Sequence, residues 1–275
     1  MPLGHSTASW SVPDPQRLAD RIRLRAVQMV AGPGFGYLGQ ALSAAEQVAA
    51  LFAAARPGID RVVCSPGHYV IALYAAAAET GLLPAGALAS YGQDGSALEA
   101  IGTERSPVVD YVCGSLGQGL SAAAGFALSD RMRGRDARTF ALVSDGELEE
   151  GQVWEAAMFA AHYRLARLTV LVDANNSQVD GPVDSVTTIE PVAAKWASFG
   201  WETAELDGHD TAGLLGALAA AGASARPSVL VCRTSASQGL DCLPAGADRH
   251  FIRLPPDLAA RALAELGGRL EGRDA

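Results

Sequence analysis

The side chains best placed for chemistry lie between Thr139 and Gly181. One apolar run ends at Ser144-Asp145-Gly146. After a helical stretch, a second ends at Asp173-Ala174-Asn175-Asn176. Asp145 and Asn175 stand thirty residues apart, the length of a strand–helix–strand crossover, which brings them to neighbouring strand ends. A carboxylate and an amide oxygen there make half of a hard-cation site. Magnesium favours such oxygens and fills its octahedron with water and phosphate oxygens. Gly146, lacking a Cβ, lets the backbone approach a phosphate closely. Taken singly, Asp-Gly or Asn-Asn would be read as a helix cap and a turn; the spacing and the strand contexts weigh against that here.

The elements that must hold these residues follow from the pattern around them. Short Val- and Leu-rich runs at Arg61–Cys64, Thr139–Ser144, Leu168–Asp173 and Ser228–Arg233 predict strands buried on both faces. Helical stretches lie between them, at about 69–80, 115–132, 149–163, 190–199 and 210–222. The fold class is therefore α/β, a parallel sheet with helices on both faces, whose ligands sit at the carboxyl ends of the strands. A first helix starts at Asp14 and stops at Gly32-Pro33-Gly34. A second is expected from Ser43, with Glu46 completing a capping box, to about Ala55. Residues 1–15 read as a loosely ordered arm, 16–257 as one domain and 258–275 as a tail with a helix near 258–266.

Hydrophobic residues at 49% and charged ones at 19% supply a core and rule out a disordered chain. The net charge of −9, with no basic stripe, argues against a nucleic-acid partner. No apolar run approaches the roughly 20 residues that span a bilayer, and the first residues lack a signal-peptide pattern. Cys64, Cys113, Cys232 and Cys242 form no CxxC pair, which fits a reduced, cytoplasmic setting.

Asp145-Gly146-Glu147-Leu148-Glu149-Glu150-Gly151, continuing to Glu155-Ala156, resembles the acidic signature of the transketolase family. Its Asp-Gly and Asn175 match that family's thiamine-diphosphate motif. Ser65-Pro66-Gly67-His68 with Leu73-Tyr74-Ala75, Gly114-Ser115-Leu116-Gly117-Gln118-Gly119, Asp207-Gly208-His209-Asp210, and Thr234 with His250 are similar to further family segments, so the likeness extends over most of the chain. It implies a thiamine-diphosphate-binding fold. Magnesium would be held by Asp145, Asn175 and the carbonyl of Ser177, and Gly146 would lie against the diphosphate. His68 and His250 would approach the cofactor with catalytic roles, and the backbone of Gly114, Ser115 and Leu116 would receive the aminopyrimidine ring. His209 is left open between a structural and a functional role. Glu150, as a catalytic acid, and Glu155, on the cofactor side, would share protons between paired sites across an interface; the alternative is that both face solvent.

The resemblance also implies what is missing. Family members run to more than twice this length, and the glutamate that activates the cofactor lies on a second, pyrimidine-binding domain. The expectation is a split enzyme: this chain with a separate C-terminal-half subunit, in an α2β2 assembly, moving a two-carbon ketol unit from a ketose phosphate to an aldehyde. Gly36-Tyr37-Leu38-Gly39 departs from the family's Gly-His-Pro-Gly and puts Tyr37 at the substrate. The family's later histidine has no counterpart between His68 and His162, Ser144 replaces a glycine, and no lysine follows Thr234. These changes point to a non-standard acceptor. A thiamine-dependent 2-oxo-acid decarboxylase or carboligase and a non-catalytic paralogue are the competing readings. A nicotinamide-binding domain is disfavoured because no GxGxxG follows the first strand.

Overall fold

The structure, a computed structural model, describes residues 10–274. In chain order it runs α1 (Pro15–Ala31), β1 (Phe35–Gly36), α2 (Leu38–Ser43), α3 (Ala45–Ala54), β2 (Arg61–Pro66), α4 (Val70–Glu79), β3 (Tyr111–Cys113), α5 (Gln118–Met132), β4 (Thr139–Ser144), α6 (Gly151–His162), β5 (Leu168–Ala174), α7 (Val183–Val186), α8 (Val192–Ser198), β6 (Glu202–Asp207), α9 (Thr211–Ala223), β7 (Ser228–Arg233), β8 (Ile252–Arg253) and α10 (Pro256–Asp274). Six strands form one parallel sheet, ordered β3-β2-β4-β5-β7-β6, while β1 and β8 pair antiparallel at its margin.

Alternation along the central strands explains the layers. Val62, Cys64, Phe140, Leu142, Leu171, Leu230 and Cys232 point into one apolar cluster, with α1, α3, α4, α9 and α10. Val63, Ala141, Val143, Val170, Val172, Val229 and Val231 point into the other, with α5, α6 and α8. A period of two with apolar residues on both sides is what a doubly covered sheet requires. The register pairs Ser144 with Asp173 across β4 and β5, and Asp173 with Cys232 across β5 and β7. The polar ends of three strands therefore meet at one place.

Several expectations need correction. Ser43 and Glu46 do not form a capping box: α3 begins at Ala45, and its N-cap position, Ala44, has no side-chain bond to give. Both side chains are buried and engaged over longer range. Ser43 Oγ donates to Asp173, and Glu46 takes two hydrogen bonds from Arg23, at 2.8 and 2.5 Å. The tail helix starts at Pro256 and is much longer than 258–266. Leu258, Ala259, Ala262 and Leu266 lie in the same core cluster as α1. Residues 1–9 of the expected arm lie outside the described residues; Trp10, which follows, donates to the Phe52 carbonyl at 3.0 Å and packs on its ring. Neither edge strand of the six, β3 or β6, is among the strands the sequence predicts.

Glu46 joins three elements, because His209, beyond β6, also reaches it at 3.1 Å through Nδ1. The other ring nitrogen of His209 accepts from the Ser235 N–H, so His209 has a structural role. Burial raises the Glu46 carboxyl, but the His209 bond and the Arg23 charge more than offset this and hold it below its ordinary value. Its stabilisation is therefore present above the unfolded value and lost as pH falls through the folded one. Glu46→Gln is expected to destabilise the chain by about 2 kcal/mol at neutral pH, because Arg23 stays buried. In denaturant titrations the gap from wild type should close as the pH drops below the ordinary carboxylate range.

Candidate active site at the strand ends

Asp173, fully buried at the end of β5, organises the site. It accepts five hydrogen bonds: from Ser43 Oγ (2.5 Å), Gln47 Nε2 (2.7 Å), Tyr69 OH (2.8 Å), Asn175 Nδ2 (2.8 Å) and Thr234 Oγ1 (2.6 Å). These donors come from α2, α3, the turn after β2, the segment after β5 and the segment after β7. Burial raises the carboxyl above its ordinary value, and the hydrogen bonds offset only part of that. Because a carboxylate only accepts, the side of Asn175 facing it must be the NH2. Asn175 Oδ1 is thereby turned the other way, where it accepts from the Ser177 N–H at 2.9 Å. On that side lies a cavity of about 610 Å3, lined by Asn175, Asn176, Ser177, Ser235 and Arg249 among others.

Asp145 ends β4 beside it. Its carboxylate accepts from the N–H groups of Gly146 (2.8 Å) and Asn176 (2.6 Å), and Asn176 adopts the left-handed conformation, φ 54°. The structure thus brings Asp145 and the Asn175–Ser177 turn together. Burial, with Asp173 nearby, pushes the Asp145 carboxyl up to about 7. Such a shift marks a buried acidic site whose negative charge the protein itself leaves under-compensated. Among the described residues no three His, Cys, Asp or Glu side chains gather as a metal cluster. The oxygens here are of another kind, one carboxylate, one amide and one main-chain carbonyl, a donor set suited to a hard divalent ion completed by phosphate and water.

An aromatic and imidazole wall stands opposite. His68 lies 5.1 Å from the Tyr37 ring, 5.0 Å from His250 and 5.1 Å from Tyr69. Gln40 Nε2 lies 3.0 Å from His250 Nδ1, and the Ser177 main chain near the imidazole offsets part of the effect of its burial. Burial lowers both histidines, and His250 adds to the effect on His68, which falls to about 3. Near neutral pH they act as hydrogen-bonding groups, not as cations. The Ser177 carbonyl, with two lone pairs, is a main-chain oxygen that can meet an ion.

The Gly-rich loop is moored from below by Glu147, a member of the acidic string to which the sequence assigns no role of its own. Glu147 is fully buried and accepts from Ser65 Oγ at 2.5 Å and from the Gly117 N–H at 2.6 Å. Gly117 has φ 85°, and a Cβ there would come within 2.9 Å of Glu150. Gly119 packs on Ser65, where a Cβ would sit at 2.4 Å. Gly114, Ser115 and Leu116 thus rise above the ends of β2 and β4, with Gly114 and Ser115 exposed. Glu150 and Glu155 are exposed as well, next to the exposed Met158 and Phe159. The four cysteines are free, with Cys64 and Cys232 buried as expected.

Residues 15–257 match the family described as transketolase, thiamine diphosphate binding domain. The chain belongs to the transketolase family. It is 38% identical over 273 residues to a transketolase family protein of Sinorhizobium fredii, covering 95% of this chain and 96% of that one. It is 35% identical over 264 residues to the 6-deoxy-6-sulfo-D-fructose transketolase subunit SqwG of a Clostridium species, covering 92% and 96%. The transketolase of Campylobacter jejuni superposes with a TM-score of 0.84 at 25% identity, over 92% of this chain and 42% of that one. Mouse transketolase is 30% identical, with 44% of its length spanned. The chain therefore corresponds to under half of these larger transketolases and to nearly the whole of the two shorter relatives. It has the thiamine-diphosphate-binding fold of this transketolase domain, and no helix among the described residues is long and apolar enough to cross a membrane.

Proposed function

We propose that this chain is the thiamine-diphosphate- and magnesium-binding subunit of a split transketolase. The reaction breaks the C2–C3 bond of a ketose phosphate and joins the two-carbon ketol unit to the carbonyl carbon of an aldehyde. A proton leaves the donor's C3 hydroxyl and another reaches the acceptor's carbonyl oxygen, so no oxidant or reductant is needed. The reading is supported above all by the Asp173-locked amide, which turns Asn175 Oδ1 away from Asp173, and by the neighbouring Asn176 N–H, which donates to Asp145 at the next strand end. When bound, thiamine diphosphate supplies the carbanion chemistry. Asp145, Asn175 and the Ser177 carbonyl would hold magnesium, and Gly146 would lie against the diphosphate. The loop Gly114-Ser115-Leu116, held by Glu147, would face the ring. His68 and His250, kept neutral, would hold or pass a proton at the substrate's hydroxyl and carbonyl oxygens.

The activating glutamate would come from a separate C-terminal-half subunit in an α2β2 assembly, and Glu150 and Glu155 would meet acidic groups at that interface. The subunit relative from Clostridium supports this division, as do exposed glutamates beside Met158 and Phe159. We place the assembly in the cytoplasm, acting on small sugar phosphates and aldehydes. Co-expression with the candidate partner tests the assembly: sedimentation should show a hetero-oligomer, and ketol transfer should require both chains. Activity of this chain alone would overturn the split arrangement.

Tyr37 is the residue that would contact substrate. A phenol donates a hydrogen bond but does not exchange protons near neutral pH. Tyr37→His is expected to shift the ratio of kcat/KM between two aldehyde acceptors by about tenfold, and to change thiamine-diphosphate affinity less. Equal ratios across a panel of aldehydes would remove Tyr37 from the substrate wall.

A further inference from the structure

The β1–β8 pair frames the outer edge of the site. Phe35 is opposite Arg253, and Gly36 is opposite Ile252. Side chains alternate along a strand and paired residues share a face. Ile252 is buried in the core, so Phe35, Arg253 and Phe251, two residues before Arg253, share the outer face. The Phe35 ring is 5.5 Å from Phe251, and Phe251 is 5.1 Å from Tyr37, which rests on His68. Ring contacts therefore run unbroken from the buried imidazoles to Phe35, which is 53% exposed. A recess of about 470 Å3 opens there, lined by Gly34, Phe35, Phe251, Arg253 and Pro255. Arg253 is exposed and enters no ion pair among the described residues.

This wall is ill suited to a short polyol, whose hydroxyl groups would lose water against phenyl rings without gaining partners. It suits a molecule with an apolar, flat body and a negative end. Aromatic rings offer large contact areas, and a guanidinium grips a carboxylate or sulfonate through parallel N–H donors. We propose that this recess is an acceptor subsite for aryl aldehydes bearing an anionic group, with the aryl body on Phe35 and Phe251 and the anion on Arg253. The inference rests on the ketol-transfer reading and gives its acceptor a chemical class. The aldehyde carbon would point past Tyr37 toward His68 and His250, where the new carbon–carbon bond forms.

Binding can be read without turnover. Calorimetry on the full chain with 4-(hydroxymethyl)benzoate, an unreactive stand-in for 4-formylbenzoate, should show saturable binding, and benzyl alcohol should bind roughly tenfold more weakly. Phe35→Ala and Arg253→Gln should each weaken the benzoate about tenfold, with Arg253→Lys restoring part of the loss. In the assembled enzyme, the preference for 4-formylbenzoate over benzaldehyde should disappear in Arg253→Gln; 4-formylbenzenesulfonate tells whether a sulfonate serves as well as a carboxylate. No binding, or binding indifferent to all three variants, overturns the subsite. Binding of the benzoate without transfer to any aldehyde by the cofactor-loaded assembly would leave the subsite standing and overturn the ketol-transfer reading. Transfer to sugar aldehydes without recognition of the aryl acids would do the reverse. If Phe35→Ala instead weakens subunit association, and the assembly does not bind the benzoate, the face belongs to the partner and the proposal fails.

Discussion

Asp145→Ala is expected to lower the affinity for thiamine diphosphate with magnesium by at least about 100-fold while the chain stays folded. Loss of a group that only orients a metal ligand typically weakens binding 10- to 100-fold, and here a ligand itself would go. On the apo chain, loss of the charge acts in the opposite direction. Asp145 is buried, and its carboxyl is pushed up to about 7 by burial and Asp173, so the empty folded chain is strained wherever the group ionises. Asp145→Asn removes the charge but keeps only one of the two acceptors that the Gly146 and Asn176 N–H groups use, so at pH 8 the apo chain should lose less thermal stability than the about 1–3 kcal/mol a lost buried hydrogen bond alone would cost. Titration calorimetry and thermal shifts with and without magnesium separate the two effects. Cofactor affinity unchanged in Asp145→Ala would dismiss the metal assignment, whatever happened to turnover.

Exposure of Glu150 and Glu155 gives the proposed partner a physical purpose. Beside them Met158 and Phe159 stand 49% and 40% exposed on α6, while the inward side of that helix, Val153, Ala156, Ala157 and Ala160, is packed on the sheet. A helix apolar on its outer side as well is suited to a second covering surface.

The parts of the fold that were legible in the sequence are those decided locally. Four strands announced themselves because burial on both faces demands unbroken Val and Leu. Glu202–Asp207 did not, because an edge strand alternates polar and apolar residues, and E-T-A-E-L-D carries too little apolar signal to stand out. In the site, the spacing of Asp145 and Asn175 was readable because one crossover sets it. The role of Asp173 was not, since its donors Ser43, Gln47, Tyr69 and Thr234 lie between 61 and 130 residues away. Ser43 misled for the same reason. Ser-x-x-Glu is a sound local cap, and only the tertiary fold shows that Asp173 and Arg23 had claimed the two side chains. Glu147 could have been singled out: a third carboxylate between two expected functional ones, in a tight turn, must go inward or outward, and here it goes inward to hold a loop.

The largest stability effect is expected at Asp173. Asp173→Ala leaves the hydroxyls of Ser43, Tyr69 and Thr234 and the amides of Gln47 and Asn175 facing a void at the junction of five chain segments. Removing a buried acceptor leaves its donors unsatisfied at about 1–3 kcal/mol for each that finds no new partner. Water or rotation will satisfy some of them, so a loss of about 3–5 kcal/mol is the expected sum. Asp173→Asn should be milder but more telling. Its amide presents one acceptor atom in place of two and turns a donor toward groups that are themselves donors. Asn175 then loses the reason to keep its NH2 inward, and Oδ1 is free to swing away from the Ser177 turn. The expected signature is a modest fall in the denaturation midpoint with a large fall in magnesium and thiamine-diphosphate affinity. If Asp173→Asn binds both as wild type does, the locked amide is not what fixes the ion's position, and Asn175 must be held by Ser43 and Tyr69 alone.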